Sequence, residues 1–142
     1  MAGDEYDPAA ASHRALQAIE TALSRHPSVV ATERFPEAVS TQIVARLDVD
    51  AFTAASGDPT LTVRWFAGET QAAEPTVSFH YSDRATDFGW HYEPNPHVDG
   101  RGHFQRADES ADGYAYQPYS FASLEPARVV WEVCSQLAAE LE

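Results

Sequence analysis

Apolar and polar residues alternate over four stretches in the middle of the chain, as in strands that bury only one face. These stretches are residues 40–50, 60–67, 76–83 and 86–93. Short polar connections rich in Gly, Pro and Asp separate several of them, which favours antiparallel neighbours. Residues 28–34, ended by Phe35–Pro36, and the tyrosine-rich residues 114–121, interrupted by Pro118, are weaker candidates. We therefore expect an antiparallel meander of about five strands.

A helical period replaces this alternation near both ends of the chain. Residues 8–25 place Leu16, Ile19 and Leu23 on one face, and Asp7 stands where an N-cap is needed. Residues 124–141 carry a second apolar stripe, for which Ser123 is the expected N-cap.

The lone thiol, Cys134, falls on the apolar stripe of the second helix, which favours a buried core position over a nucleophile. We expect a single α+β domain over residues 1–142, with residues 1–6 disordered.

The charge balance is strongly acidic and uses no lysine. Nine Arg stand against 22 Asp and Glu, which gives a net charge of −13. This composition resembles that of cytoplasmic proteins of salt-accumulating halophilic archaea, where a Debye length of about 3 Å at 1 M salt screens acidic self-repulsion. Acidity normally argues against nucleic-acid binding, but a bias shared by a whole proteome weakens that argument.

Other bulk features narrow the class of protein. A single Cys excludes an internal disulfide and a cysteine-based metal site. No apolar run approaches the roughly 20 residues of a membrane span, and the N-terminus lacks the basic and apolar regions of a signal peptide. We expect a cytoplasmic protein without membrane contact.

Residues 79–106 concentrate the groups that can bind ligands or transfer protons. They hold four of the six histidines, and Asn95 lies there between two prolines. Alternation predicts His80 and His91 on the strand face opposite the aromatic stripe. His97 and His103 fall in or beside turns and bracket Arg101.

Three interpretations of this stretch stay open. RNA cleavage through its own 2′-OH needs a general base, a general acid and a cation, roles that His and Arg suit. His91, His97 and His103 could alternatively bind zinc with a nearby carboxylate, although no metal signature is present. The histidines could also be structural, in a non-catalytic interaction protein.

Four segments resemble the TumE-like toxins of toxin–antitoxin pairs. VSFHYSD at 77–83, WHYEPNPH at 90–97 and GRGHFQ at 100–105 stand where that family has its polar-aromatic strand, its RxDNxPH-like motif and its PHHxH-like motif. SLEPARVVWEV at 123–133 is similar to its closing helix. The pattern departs at His91 and Glu93, which replace Arg and Asp, and the last cluster keeps only His103.

The resemblance implies a small toxin that acts on RNA or translation, needs no cofactor and is held by an antitoxin protein. Its site would use His97 and His103 for proton transfer, Arg101 on the phosphate, and Asn95 or His91 for positioning. Three further residues of the same stretch would contact the substrate, namely Arg84, Arg106 and His80.

Overall fold

The computed structural model describes residues 5–36, 41–108 and 113–142, which form two α-helices and one seven-stranded sheet. In chain order the elements are α1 (Pro8–Arg25), β1 (Val29–Pro36), β2 (Thr41–Leu47), β3 (Thr60–Phe66), β4 (Thr76–Ser82), β5 (Asp87–Tyr92), β6 (Gly102–Asp108), β7 (Gly113–Pro118) and α2 (Pro126–Glu140).

The strands form an antiparallel meander in which every strand pairs with its neighbour in sequence, so β1 and β7 are the two edges. The α+β class is confirmed, but the expected number of about five strands is wrong. Strand β6 escaped the alternation rule because Arg106 occupies one of its core-side positions, where the guanidinium covers the rings of Phe88 and Phe104. Strand β1 continues through Pro36 instead of ending before Phe35, since an edge strand tolerates proline.

One face of the sheet carries the apolar core. Phe79, Tyr81, Phe88 and Trp90 are at most 1% exposed, and they pack against one another on β4 and β5. Helix α1 contacts β1, β2 and β3 on this side and also packs against α2. The helices contribute two apolar sets to the same cluster: Leu16, Ile19, Ala22 and Leu23 from α1, and Val129, Val130, Val133, Cys134 and Leu137 from α2.

The first helix has the predicted bounds, and the Asp7 carboxylate accepts a hydrogen bond from the backbone N–H of Ala9. The second helix begins at Pro126, so Glu125 and not Ser123 is its N-cap, and the Glu125 side chain accepts from the N–H of Arg128. Proline is well suited to the first helical position, which sets this start. Neither described helix combines the length and apolar character needed to span a membrane.

Two expectations concern segments that fall partly outside the described residues. The N-terminal prediction of disorder covers residues 1–6, of which residues 5 and 6 are described; the Tyr6 hydroxyl donates a hydrogen bond to the carbonyl of Gly68. The acidic composition of residues 107–113 predicts a solvated loop, but β6 extends through Asp108 and β7 starts at Gly113.

Candidate functional site

The sheet face opposite the helices carries three histidines side by side; we call this side of β4–β7 the histidine face. Because Phe79 and Tyr81 point into the core, the intervening His80 must point away from it. On the next strands, His91 lies directly opposite His103 in the β5–β6 register. The prediction that His80 and His91 lie opposite the aromatic stripe is confirmed.

His80 and His91 form a chain of contacts between two carboxylates. His80 Nε2 contacts the Asp87 carboxylate, and its Nδ1 lies 3.4 Å from His91 Nε2. His91 Nδ1 lies 3.4 Å from Glu93 Oε1. The Tyr114 hydroxyl donates a 3.1 Å hydrogen bond to Asp87 from the edge strand β7. Both ring nitrogens of both histidines are therefore in contact with another polar group.

The surroundings of His91 disfavour its charged form. Its pKa is lowered to about 4, chiefly by burial and to a lesser extent by the neighbouring His103 and His80, while Glu93 acts in the opposite direction. His91 is thus a neutral imidazole at neutral pH.

His103 is buried and fully bonded. Its side chain is 1% exposed, and its ring is parallel to that of His91 within 7°, with 5.2 Å between centroids. Its Nδ1 lies 3.3 Å from the carbonyl oxygen of Arg101, and its Nε2 lies 3.4 Å from the amide nitrogen of Asn95. A neutral ring that donates through Nδ1 and accepts through Nε2 satisfies both contacts.

Asn95 links this buried ring to the exposed His97. The Asn95 side-chain oxygen accepts a 2.7 Å hydrogen bond from the backbone N–H of His97. The ring of His97 stacks on Tyr116 at 4.6 Å and 10°, beside an open cavity of about 300 Å³. The cavity is lined by Pro96, His97, Val98, Asp99, Tyr116 and Pro118. Throughout the described ranges, no polar group lies within hydrogen-bonding distance of the His97 ring nitrogens.

The arginines expected to contact substrate do not join the histidines. Arg101 donates to the carbonyl of Pro75, pairs with Glu74 at 3.1 Å and lies over the Tyr92 ring. Arg106 lies on the helix side of the sheet, where Phe88 and Glu140 hold it. Arg84 is exposed near the β4–β5 turn, against Gly57.

A cation that the sequence interpretation did not assign to the site shares the histidine face. Arg64 on β3 is exposed and pairs in register with Ser78, which in turn pairs with His91. Two strand spacings separate the Arg64 and His91 backbones, about 10 Å. The polar position of Arg64 in the alternation of β3 is the sequence signal that could have assigned it to this face.

The metal interpretation required His91, His97 and His103 to share one centre. Among the residues the structure describes, no three His, Cys, Asp or Glu side chains are placed to hold a metal ion. The rings of His91 and His103 are stacked, and His97 stacks on Tyr116 instead of turning towards them.

Comparisons with protein-family models, with curated protein sequences and with solved structures found no match. The similarity to the TumE-like toxins therefore stays a prediction, and the chemistry of the histidine face has to be argued from its own geometry.

Proposed function

We propose that the histidine face is an acid–base site that acts on RNA or a similar phosphodiester and uses no metal cofactor. The observation that carries this proposal is the convergence of four histidines, from β4, β5, β6 and the β5–β6 loop, on one side of the sheet. Three of them are held by other protein groups. The His97 ring lies at an open cavity, and no described residue forms a hydrogen bond with its nitrogens.

Within this proposal His97 exchanges the proton with the substrate, because imidazole titrates near neutral pH and this ring is accessible. His103 acts through Asn95, whose side chain holds the backbone of His97 in place. His103 is thus a positioning residue, since a ring that is 1% exposed cannot meet the substrate. Arg64 takes the phosphate-contacting role that the sequence had suggested for Arg101.

The biological setting that we propose is a small cytoplasmic toxin of a halophile, neutralised by an antitoxin protein. The lysine-free acidic composition supports the halophilic setting, and the motif similarity supports the toxin role. The antitoxin would have to block access to His97, which the open position of this residue beside Tyr116 makes feasible.

Cleavage of end-labelled RNA in molar KCl tests this function. Wild type, H97A and the matched control H13A are compared, because His13 is an exposed histidine on α1, on the other side of the sheet. We expect cleavage by wild type and H13A, unchanged by EDTA, and at least a 100-fold loss in H97A. Equal cleavage by H97A and wild type would remove His97 from the mechanism. Absence of cleavage by all three would remove the proposed function.

A non-catalytic role in partner recognition is the second candidate. It is favoured by one observation: all six ring nitrogens of His80, His91 and His103 already contact protein groups, as in a network that shapes a surface. Induced expression in a halophilic host separates the two roles. Growth arrest that H97A abolishes at matched protein levels supports catalysis, whereas arrest that H97A retains supports recognition.

A further inference from the structure

We propose that His80 and His91 together hold one proton more than two neutral imidazoles, as a doubly protonated His80 enclosed between Asp87 and His91. This inference concerns the protons of the resting protein, so it does not depend on the proposed function.

The inference follows from counting protons along the chain of contacts. Three contacts run in line, from Asp87 to His80, from His80 to His91, and from His91 to Glu93. Each contact needs one proton between its two heavy atoms, and ionised carboxylates supply none. Two neutral imidazoles carry two protons, so one contact would place two lone pairs against each other. A third proton on the two rings satisfies all three contacts.

The Tyr114 hydroxyl does not change this count, because it donates its own proton to Asp87. Burial raises the pKa of this hydroxyl, and Asp87 raises it further, so the phenol keeps its proton at neutral pH. The carboxylates of Asp87 and Glu93 have 38% and 39% of their side-chain surface exposed, which lets water solvate their charges.

The geometry places the extra proton on His80. This ring lies against the Asp87 carboxylate, and 21% of its side chain is exposed, against 13% for His91, so a charge on His80 is the better solvated of the two. The lowered pKa of His91 supports this assignment, because that ring resists a second proton until strongly acidic pH. The chain is then Asp87 carboxylate, His80 imidazolium, neutral His91 and Glu93 carboxylate.

Of the other groups that face His80, Arg64 carries a positive charge that opposes a charged ring, but its side chain is exposed, so water screens this repulsion. Strand β3 presents Thr62, which pairs in register with His80, and the exposed Arg64 two residues further along the strand. On β6, His103 stacks on His91, which lies between it and His80. On β7, the Tyr114 ring meets the His80 ring edge-on, with 6.0 Å between the ring centroids. Strand β5 presents Gly89, where a Cβ atom would lie 2.6 Å from His80 Nδ1. The missing side chain at this position is what admits the His80 ring.

Histidine-selective ¹⁵N NMR of the wild-type protein at pH 7.5 tests the inference. An ordinary imidazole is about 10% doubly protonated at this pH. The signals of the exposed His13 are recorded in the same spectrum for comparison. We expect His80 to be doubly protonated several-fold more than His13, and His91 to carry one proton, on Nδ1. If His80 is no more protonated than His13, the proposal fails; a doubly protonated His91 would equally overturn it.

The variant D87N provides a second measurement. An Asn side chain has no charge, so His80 should lose its extra proton and approach the protonation of His13, while D50N, at an exposed site elsewhere, should leave it unchanged. Retention of the extra proton in folded D87N would contradict the proposal. If D87N does not fold, the wild-type spectrum decides by itself. RNA cleavage enters neither readout, so failure of this inference and failure of the proposed function are distinguishable.

Discussion

The imidazole rings of His91 and His103 lie parallel on adjacent strands, with their centroids 5.2 Å apart. The sequence separates these two residues by a proline-containing turn, and the β5–β6 register brings them directly opposite each other. Both rings have their nitrogens in contact with other groups of the protein. The pair is therefore a packed polar layer beneath the surface, and the accessible chemistry lies next to it, at His97.

The substitution H103A should destabilise the protein much more than H97A. It removes a buried ring and leaves the Asn95 amide and the Arg101 carbonyl without their partner, which costs about 2–4 kcal/mol of unfolding free energy. H97A removes an exposed ring and should cost about 0.5 kcal/mol or less. Urea unfolding at fixed high salt measures both. Similar losses for the two variants would show that His103 is not the packed residue described above.

The stability of the protein should fall on acidification through the range that His91 defines. In the unfolded chain this histidine gains a proton near pH 6.5, but in the folded protein its pKa is lowered to about 4 by burial. Between these values the unfolded state binds more protons, so stability is full above pH 6.5 and decreases towards pH 4, by up to roughly 3 kcal/mol.

Unfolding free energies of wild type and H91Q, measured from pH 8 to pH 4, isolate this contribution. Carboxylate titrations contribute to both proteins, so the difference between the two curves reports on residue 91 together with the His80 ring that it contacts. H13Q is the matched control and should follow wild type. Parallel curves for wild type and H91Q would contradict the prediction.

The substitution G89A should break the His80–His91 contact. The added Cβ would lie 2.6 Å from His80 Nδ1 and 2.6 Å from the carbonyl oxygen of Phe79, so both the ring and the local backbone must move. We expect a loss of about 1–3 kcal/mol and a changed ¹⁵N spectrum of His80. The control is G100A, where nothing lies near the added atom but the positive φ of 77° costs some backbone strain. An unchanged His80 spectrum in folded G89A would refute the prediction.

Cys134 should report global unfolding. Burial in the α2 stripe raises the pKa of this thiol to about 12. In the native state the thiol is therefore protonated and shielded from reagents in the solvent. We expect a disulfide reagent at pH 8 to react at least 100-fold more slowly with native protein than with urea-unfolded protein. Because the chain contains one Cys, the rate has a single origin. Fast labelling of native protein would indicate local opening of α2.

The sequence predicted those elements of the fold whose core-side positions are apolar. Helix α1 and strands β2 to β5 follow simple periodicities, so the sequence predicted both helices and the positions of most strands. Strand β6 was not, because Arg106 on its core side hides the alternation and is compensated by contacts with Phe88 and Glu140 that only the folded chain creates. Local pattern cannot show a compensation that comes from another element.

The same limit applies to the candidate site. Alternation placed His80 and His91 on one face, but the pairing of His91 with His103 depends on the β5–β6 register, which the loop geometry sets. Sequence proximity suggested that Arg101 accompanies His97 and His103. The structure turns its side chain towards Glu74 and Pro75 instead, because Arg101 precedes β6 and the strand alternation that orients His103 does not fix its direction.

Helices α1 and α2 come from opposite ends of the chain and pack against each other over the same core. During synthesis, the segments of all seven strands are made before α2, and the apolar residues that α2 covers lack this cover until the helix has formed. The meander can form strand by strand, since each strand pairs with the next one in the sequence and its contacts are local. Helix α2 is made after the sheet that it covers, so a chain terminated prematurely within this helix would keep an exposed apolar face and be prone to aggregate.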